Sequence, residues 1–178
     1  MNIKKDLPTF KYHPDPISNG VFKKSDKKCV VCNESRGYIY TGMFYSIENI
    51  EDICPWCIKD GSAAEKYDGD FFDDSDLEEV DDDEMVIELL KRTPGFFAAQ
   101  ESWVSHCGDF CKIVGQVTYT EIEKIESDLE SDLSRIQKEL ELPLNELIKE
   151  LSLDQSPLWA HLFQCIHCSQ YRLIANYE

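Results

Sequence analysis

Two Cys-x-x-Cys pairs, Cys29/Cys32 and Cys54/Cys57, stand 21 residues apart and constrain this chain more than any other feature. Each pair presents two thiolates from one turn, and two such turns fill the four positions of a tetrahedral Zn²⁺. Between them, Arg36 to Tyr45 is rich in aromatic and β-branched residues, with Gly42 as a turn, and predicts a hairpin. After Cys57, the run KDGSAAEKY predicts a short helix. Residues 29–67 therefore read as a treble-clef-like zinc module with a closed, structural metal site. A redox reading rests on Cys54-Pro55-Trp56-Cys57 alone, a thioredoxin-type spacing at a helix start. The paired Cys29/Cys32 favours zinc.

Four more cysteines follow: Cys107 and Cys111 in His106-Cys107-Gly108-Asp109-Phe110-Cys111, and Cys165 and Cys168 in a terminal Cys-x-x-Cys. They predict a second zinc held by Cys107, Cys111, Cys165 and Cys168, with His106 or His167 able to replace one thiolate. The alternative makes the HCGDFC segment the centre of a zinc-dependent, hydrolase-like enzyme. Cys107 would then be the nucleophile, His106 or His161 the base and Asp109 the orienting group. Adjacent residues on a strand face opposite ways, which argues against a His106–Cys107 dyad. A P-loop, GxSxG and HExxH are all missing from the sequence.

The charge is lopsided. The chain has 35 acidic and 18 basic residues, for a net −17. Eleven of the acids lie in residues 68–84, and without them 24 acidic residues face 18 basic ones, a net of −6. Such a balance argues against direct binding to nucleic acid or to an anionic membrane. It points instead to a basic protein partner, with Asp73, Asp74, Asp76, Glu78, Glu79, Asp81, Asp82 and Asp83 as the partner-binding groups. A calcium loop fits poorly, for want of the Gly and Glu at their required places. Lys23 to Lys28 is a small basic island, read as a solvated loop.

Residues 9–12 suggest a short strand, and His13 beside Pro14 reads as a structural histidine. Glu84 to Arg92 predicts a helix stopped by Thr93-Pro94-Gly95. Tyr119, Ile122, Ile125, Leu129, Leu133, Ile136 and Leu140 form one apolar helical face, with Thr120 and Glu123 as a capping box. Pro143 starts a second helix, with Leu144, Leu147, Ile148 and Leu151 inward. Residues 118–153 are thus an αα-hairpin. Residues 158–178 read as strand, knuckle, strand, a zinc-ribbon-like hairpin. The fold class is α+β: one domain over 1–178, with the treble-clef-like module and terminal hairpin sharing one core and the αα-hairpin inserted. The N-terminus lacks an apolar core and no run approaches the ~18 apolar residues of a span, which predicts no signal peptide, no membrane span and a cytoplasmic place. Eight cysteines in that setting indicate metal thiolates rather than disulfides.

The blocks FKYHPDP, RGYIYTG, CPWCIKDGSAA, RTPGF, HCGDFC and FQCIHCSQYR, in this order, resemble the CbrC family of bacterial proteins over nearly the whole chain. That resemblance implies a bacterial, cytosolic, cysteine-rich protein associated with tolerance of a protein toxin, and it brings no catalytic residues. With the acidic segment, it leads to the expectation of an immunity-like protein that masks a basic toxin domain.

Overall fold

The computed structural model describes residues 7–98, 102–153 and 156–177, without the side chain of Asp76. The expectations for the first residues of the chain fall outside this range. By its contacts the chain divides into two compact units. The first comprises residues up to Ser75 with Asp82–Phe97, and the second comprises Asp76–Asp81 with the chain from Ala98 onward.

In the first unit, β1 (Phe22–Ser25) pairs antiparallel with β2 (Gly37–Tyr40), Phe22 opposite Tyr40 and Ser25 opposite Gly37. The loop between them carries Cys29 and Cys32. The predicted hairpin within residues 36–45 is therefore replaced by one whose first strand precedes the cysteines. Gly42 is not its turn. A Cβ there would run into the Tyr40 ring, so glycine serves a close approach to that ring. Tyr40 in turn donates from its hydroxyl to the Met43 carbonyl (3.0 Å) and accepts from the Gly95 N–H (3.1 Å). The basic island is partly strand, and Lys27 pairs with Asp52 at 2.8 Å.

Helix α1 (Pro55–Lys59) begins directly after Cys54, with Pro55 in the first turn, where its missing N–H costs no helical bond. Helix α2 (Ser62–Tyr67) follows after Gly61. Helix α3 (Asp83–Arg92) is capped by the Asp82 carboxylate, which accepts from the Glu84 N–H at 2.9 Å. Phe10, Phe22, Tyr40, Ile53, Ile58 and Phe71 belong to this unit's apolar cluster. The expected strand at 9–12 is instead bent chain that buries Phe10 and Tyr12. His13 is also buried. Its Nδ1 lies 2.9 Å from the Pro94 carbonyl and its Nε2 3.0 Å from the Asn19 amide. A neutral ring satisfies both, with Nδ1–H donating and Nε2 accepting.

In the second unit, β5 (Lys112–Val117), β6 (Leu158–Gln164) and β7 (Tyr171–Tyr177) form an antiparallel sheet in the order 5-6-7. A two-residue pair, β3 (Ser105–His106) and β4 (Asp109–Phe110), precedes it. Helix α4 (Tyr119–Ile122), a 3-10 turn at Glu123–Ile125, α5 (Glu126–Glu139) and α6 (Leu144–Leu151) cover the sheet. Most of the predicted apolar face lands inward, with Ile122, Leu129, Leu133, Ile136, Leu147 and Leu151 in a cluster with Leu162 and Leu173, whereas Leu144, the first residue of α6, is exposed. The capping box lies two residues earlier than predicted, at Thr118 and Glu121, because the helix starts at Tyr119. The Thr118 N–H donates to the Glu121 carboxylate at 2.9 Å. Pro143 is the residue before α6 rather than inside its first turn.

The acidic segment is not one solvated loop. Residues 76–81 lie alongside Trp103, with a parallel bridge from Leu77 and the Glu78 N–H donating to the Trp103 carbonyl at 3.0 Å. Asp73, Asp74, Glu79, Asp81, Asp82 and Asp83 are exposed. Asp73 caps a turn by accepting from the Ser75 N–H at 2.9 Å, and Asp82 caps α3.

Candidate metal centres

Cys29, Cys32, Cys54 and Cys57 converge, with all four sulfurs within 4.8 Å of one another. The local chain explains how. Asn33 adopts a left-handed conformation (φ 58°) just after Cys32, turning the chain back so that its N–H meets the Cys29 carbonyl at 2.8 Å. The Cys29 N–H reaches the Glu34 carbonyl at 2.9 Å, and the Val31 and Cys54 N–H groups donate to the Cys29 sulfur at 3.4 and 3.3 Å. N–H donors of this kind favour a thiolate over a thiol. Cys54 and Cys57 come from the entry to α1 and its first turn.

The spacing suits a metal and not a disulfide. The Cys32 and Cys54 sulfurs are 3.9 Å apart. Thiolates ~2.3 Å from a tetrahedral Zn²⁺ stand ~3.8 Å from each other, whereas a disulfide needs ~2.05 Å. The electrostatics also ask for a cation. A hydrogen bond from the Cys54 thiol lowers the pKa of Cys29, while Cys54 is pushed up and burial raises Cys57 to about 12. Four crowded thiols cannot all ionise unless positive charge enters among them. Arg36 supplies some from outside. Its guanidinium lies 5.5 Å from the centroid of the Trp56 ring and pairs with Glu34 at 2.8 Å. Burial opposes its charge, yet Cys32, Cys54 and Glu34 beside it raise its pKa.

The second centre brings together His106, Cys107, Cys165 and Cys168, again within 4.8 Å. His106 stands where the sequence suggested Cys111. Cys111 is buried in the strand region, where its N–H donates to the Val104 carbonyl and its carbonyl accepts from the Trp103 indole at 2.8 Å. Burial pushes its thiol up to about 12.

The substitution follows from a turn. Cys107 and Gly108 both have positive φ (57° and 76°), which joins β3 to β4 by a two-residue turn of the type that suits hairpin twist. Cys107 is therefore off the strand, and the alternation that argued against proximity to His106 does not apply. The His106 Nδ1 lies 3.2 Å from the Cys107 sulfur and 3.3 Å from that of Cys168.

Cys165 and Cys168 sit in a knuckle between β6 and β7 that repeats the first one bond for bond. Ser169 is left-handed (φ 64°) and its N–H meets the Cys165 carbonyl at 3.1 Å. The Cys165 N–H reaches the Gln170 carbonyl at 2.8 Å, and the His167 N–H donates to the Cys165 sulfur at 3.4 Å. Burial raises the Cys165 pKa, but the N–H groups of Cys168 and His167, together with the His106 and Cys168 side chains, outweigh it and bring it down to about 6. His167 is not among the four. Its Nε2 is 3.0 Å from Oδ2 of the buried Asp109, whose Oδ1 accepts from the Phe110 N–H.

Three residues that the sequence reading did not single out for this role hold the second centre together. Arg172, just past the knuckle, pairs with Glu78 at 3.0 Å and with the buried Asp132 at 3.1 Å, and donates to the Ser105 carbonyl at 2.6 Å. Glu78 accepts from the Ser105 N–H at 2.7 Å. Ser105, the residue before His106, is thus gripped at both its N–H and its carbonyl. Asp132 also accepts from the Leu173 N–H at 2.9 Å. A signal was present: Asp132 is a charge set beside Leu129, Leu133 and Ile136 on an otherwise apolar helix face.

Fold and sites together define a mixed α+β protein with two clusters, one of four cysteines and one of a histidine with three cysteines, each able to hold a metal ion. The chain belongs to the uncharacterised protein family UPF0167, whose family model matches residues 7–177. It is similar to UPF0167 protein Mb2317 of Mycobacterium bovis and UPF0167 protein MT2352 of Mycobacterium tuberculosis. Each is 38% identical over 177 residues, covering 96% of this chain and 94% of theirs. UPF0167 protein PA1536 of Pseudomonas aeruginosa is 39% identical over 126 residues, covering 68% of this chain and 70% of that protein. No solved structure matches the chain. Among the described residues, no helix is long and apolar enough to cross a membrane.

Proposed function

We propose that this is a cytoplasmic zinc-binding interaction protein, with no catalytic role, that engages a basic protein through its acidic segment. The observation that carries this reading is the completeness of both donor sets. Cys29, Cys32, Cys54 and Cys57, and likewise His106, Cys107, Cys165 and Cys168, each supply four protein donors. Structural zinc is closed in this way, whereas catalytic zinc keeps a position for water. Zinc in the first centre would complete a treble-clef-like module. In the second it would complete a ribbon-like hairpin.

Asp73, Asp74, Glu79, Asp81, Asp82 and Asp83 are exposed and supply the steering charge. Glu78 belongs to the Arg172 network and is left out of the docking set. The partner class that the family resemblance adds is a toxin domain, and nucleases among such toxins are basic because they hold phosphate. The hydrolase alternative asks for an open metal position and a reactive Cys107, and it finds less support in a four-donor set.

The test is association kinetics. Asp73, Asp74, Asp81 and Asp83 changed together to Asn should slow binding to a basic toxin domain and flatten its salt dependence. Unchanged on-rates would remove the acidic segment from docking.

A further inference from the structure

The two centres share their donor chemistry but not their surroundings. In the first, Cys29, Cys54 and Cys57 are buried and Cys32 is half-buried; in the second, Cys107 and Cys168 are exposed and only Cys165 is buried. Exposure is built into the fold. Cys107 is held in a left-handed conformation at the tip of a two-residue turn, and the space beside Gly108 is open. Cys168 closes the knuckle on its outer side, while Cys165 is screened and takes the N–H bonds. Zinc-bound thiolates that solvent reaches remain open to two-electron oxidants, and reversible oxidation follows thiolate character together with access.

We infer that the second centre is a site of reversible thiol oxidation, at which hydrogen peroxide joins Cys107 to Cys168 and releases the zinc while the first centre keeps its metal. This rests on the reading that the second centre holds zinc. One thiolate attacks a peroxide oxygen, the O–O bond breaks, hydroxide leaves and a sulfenic acid remains. The second thiolate attacks that sulfur, the S–O bond breaks and hydroxide leaves again. Two thiolates thus lose two electrons, peroxide gains them, and two protons from solvent turn the hydroxides to water. The sulfurs already lie within 4.8 Å. Losing two of four donors, the metal departs, and His106 and Cys165 alone do not retain it. A thiol reductant with added zinc reverses the change.

The experiment uses the whole purified protein. Zinc is counted first, which tests the metal reading on its own. Hydrogen peroxide is then added with a chromophoric zinc indicator, and disulfides are mapped by peptide mass spectrometry. The expected result is release of one zinc per chain, a Cys107–Cys168 disulfide, retention of the other zinc, and recovery with dithiothreitol and zinc. Two bound zincs that leave together, or not at all, overturn the inference while leaving the metal reading intact. So does a disulfide mapped to Cys29, Cys32, Cys54 or Cys57. A protein that carries zinc in the first centre alone overturns both.

Discussion

Glu78 and Arg172, 94 residues apart in sequence, form a two-pronged ion pair, with Nη2 at 3.0 Å from Oε1 and Nη1 at 3.3 Å from Oε2. The pair ties the strand after the Cys165/Cys168 knuckle to the segment that grips Ser105, and so holds the two halves of the second centre in register. Glu78→Gln should lower stability by about 1–2 kcal/mol, since one half-exposed charge-assisted bond set is weakened and Arg172 keeps Asp132. It should also speed loss of zinc to a chelator. Glu79→Gln, one residue on and exposed, should do neither. Chelator competition on both variants checks this, and equal zinc retention in the two would remove Glu78 from any positioning role.

The first centre should decide whether its unit folds. Structural zinc contributes about 10–16 kcal/mol in apparent binding free energy, comparable with the whole stability of a domain. Cys57→Ser is therefore expected to lose that zinc and to unfold the first unit, seen as loss of amide protection over residues 7–75. A folded Cys57→Ser protein lacking that zinc would contradict the account.

His13 should make stability fall with acid. Burial lowers its pKa from 6.5 to about 4, against smaller raising effects of the Pro94 carbonyl and Asp15. The unfolded chain takes up a proton below 6.5, and the folded one resists until about 4. The contribution is therefore full above 6.5 and is lost as pH falls through that window, amounting to roughly 3 kcal/mol. Denaturant titrations of the protein and of His13→Asn between pH 4 and 6.5 should show a steeper slope for the unaltered protein. Parallel slopes would mean that the buried ring is not neutral.

Asp82 serves the first turn of α3 as well as the acidic surface. Asp82→Ala should cost about 1 kcal/mol through the lost cap, while Asp82→Asn, which also caps, should cost far less. Thermal unfolding of the two variants separates the roles of cap and charge.

The candidate metal centres were partly legible in the sequence because Cys-x-x-Cys is a local signal: its spacing brings two sulfurs together from one turn, whether in a knuckle, as at Cys29/Cys32 and Cys165/Cys168, or at a helix start, as at Cys54/Cys57. The apolar face from Tyr119 to Leu140 was legible for the same reason, as a period that needs no tertiary context. What escaped depends on distant chain. Nothing near Gly37–Tyr40 says that its strand partner is Phe22–Ser25, ahead of the cysteines. The place of His106 beside Cys107 depends on a left-handed backbone that a cysteine seldom adopts, and Cys111 was then left to the interior. Glu78 looked like one more acid in an acidic run, and only Arg172, far along the chain, marks it out.

On the proposed reading, a second zinc is held by His106, Cys107, Cys165 and Cys168 rather than by Cys111. The most direct test is the number of zinc ions per chain, by native mass spectrometry, in the unaltered protein, in Cys111→Ser and in His106→Ala. Two zincs, two zincs and a loss of the second are expected, respectively. A zinc lost from Cys111→Ser and kept in His106→Ala would contradict it.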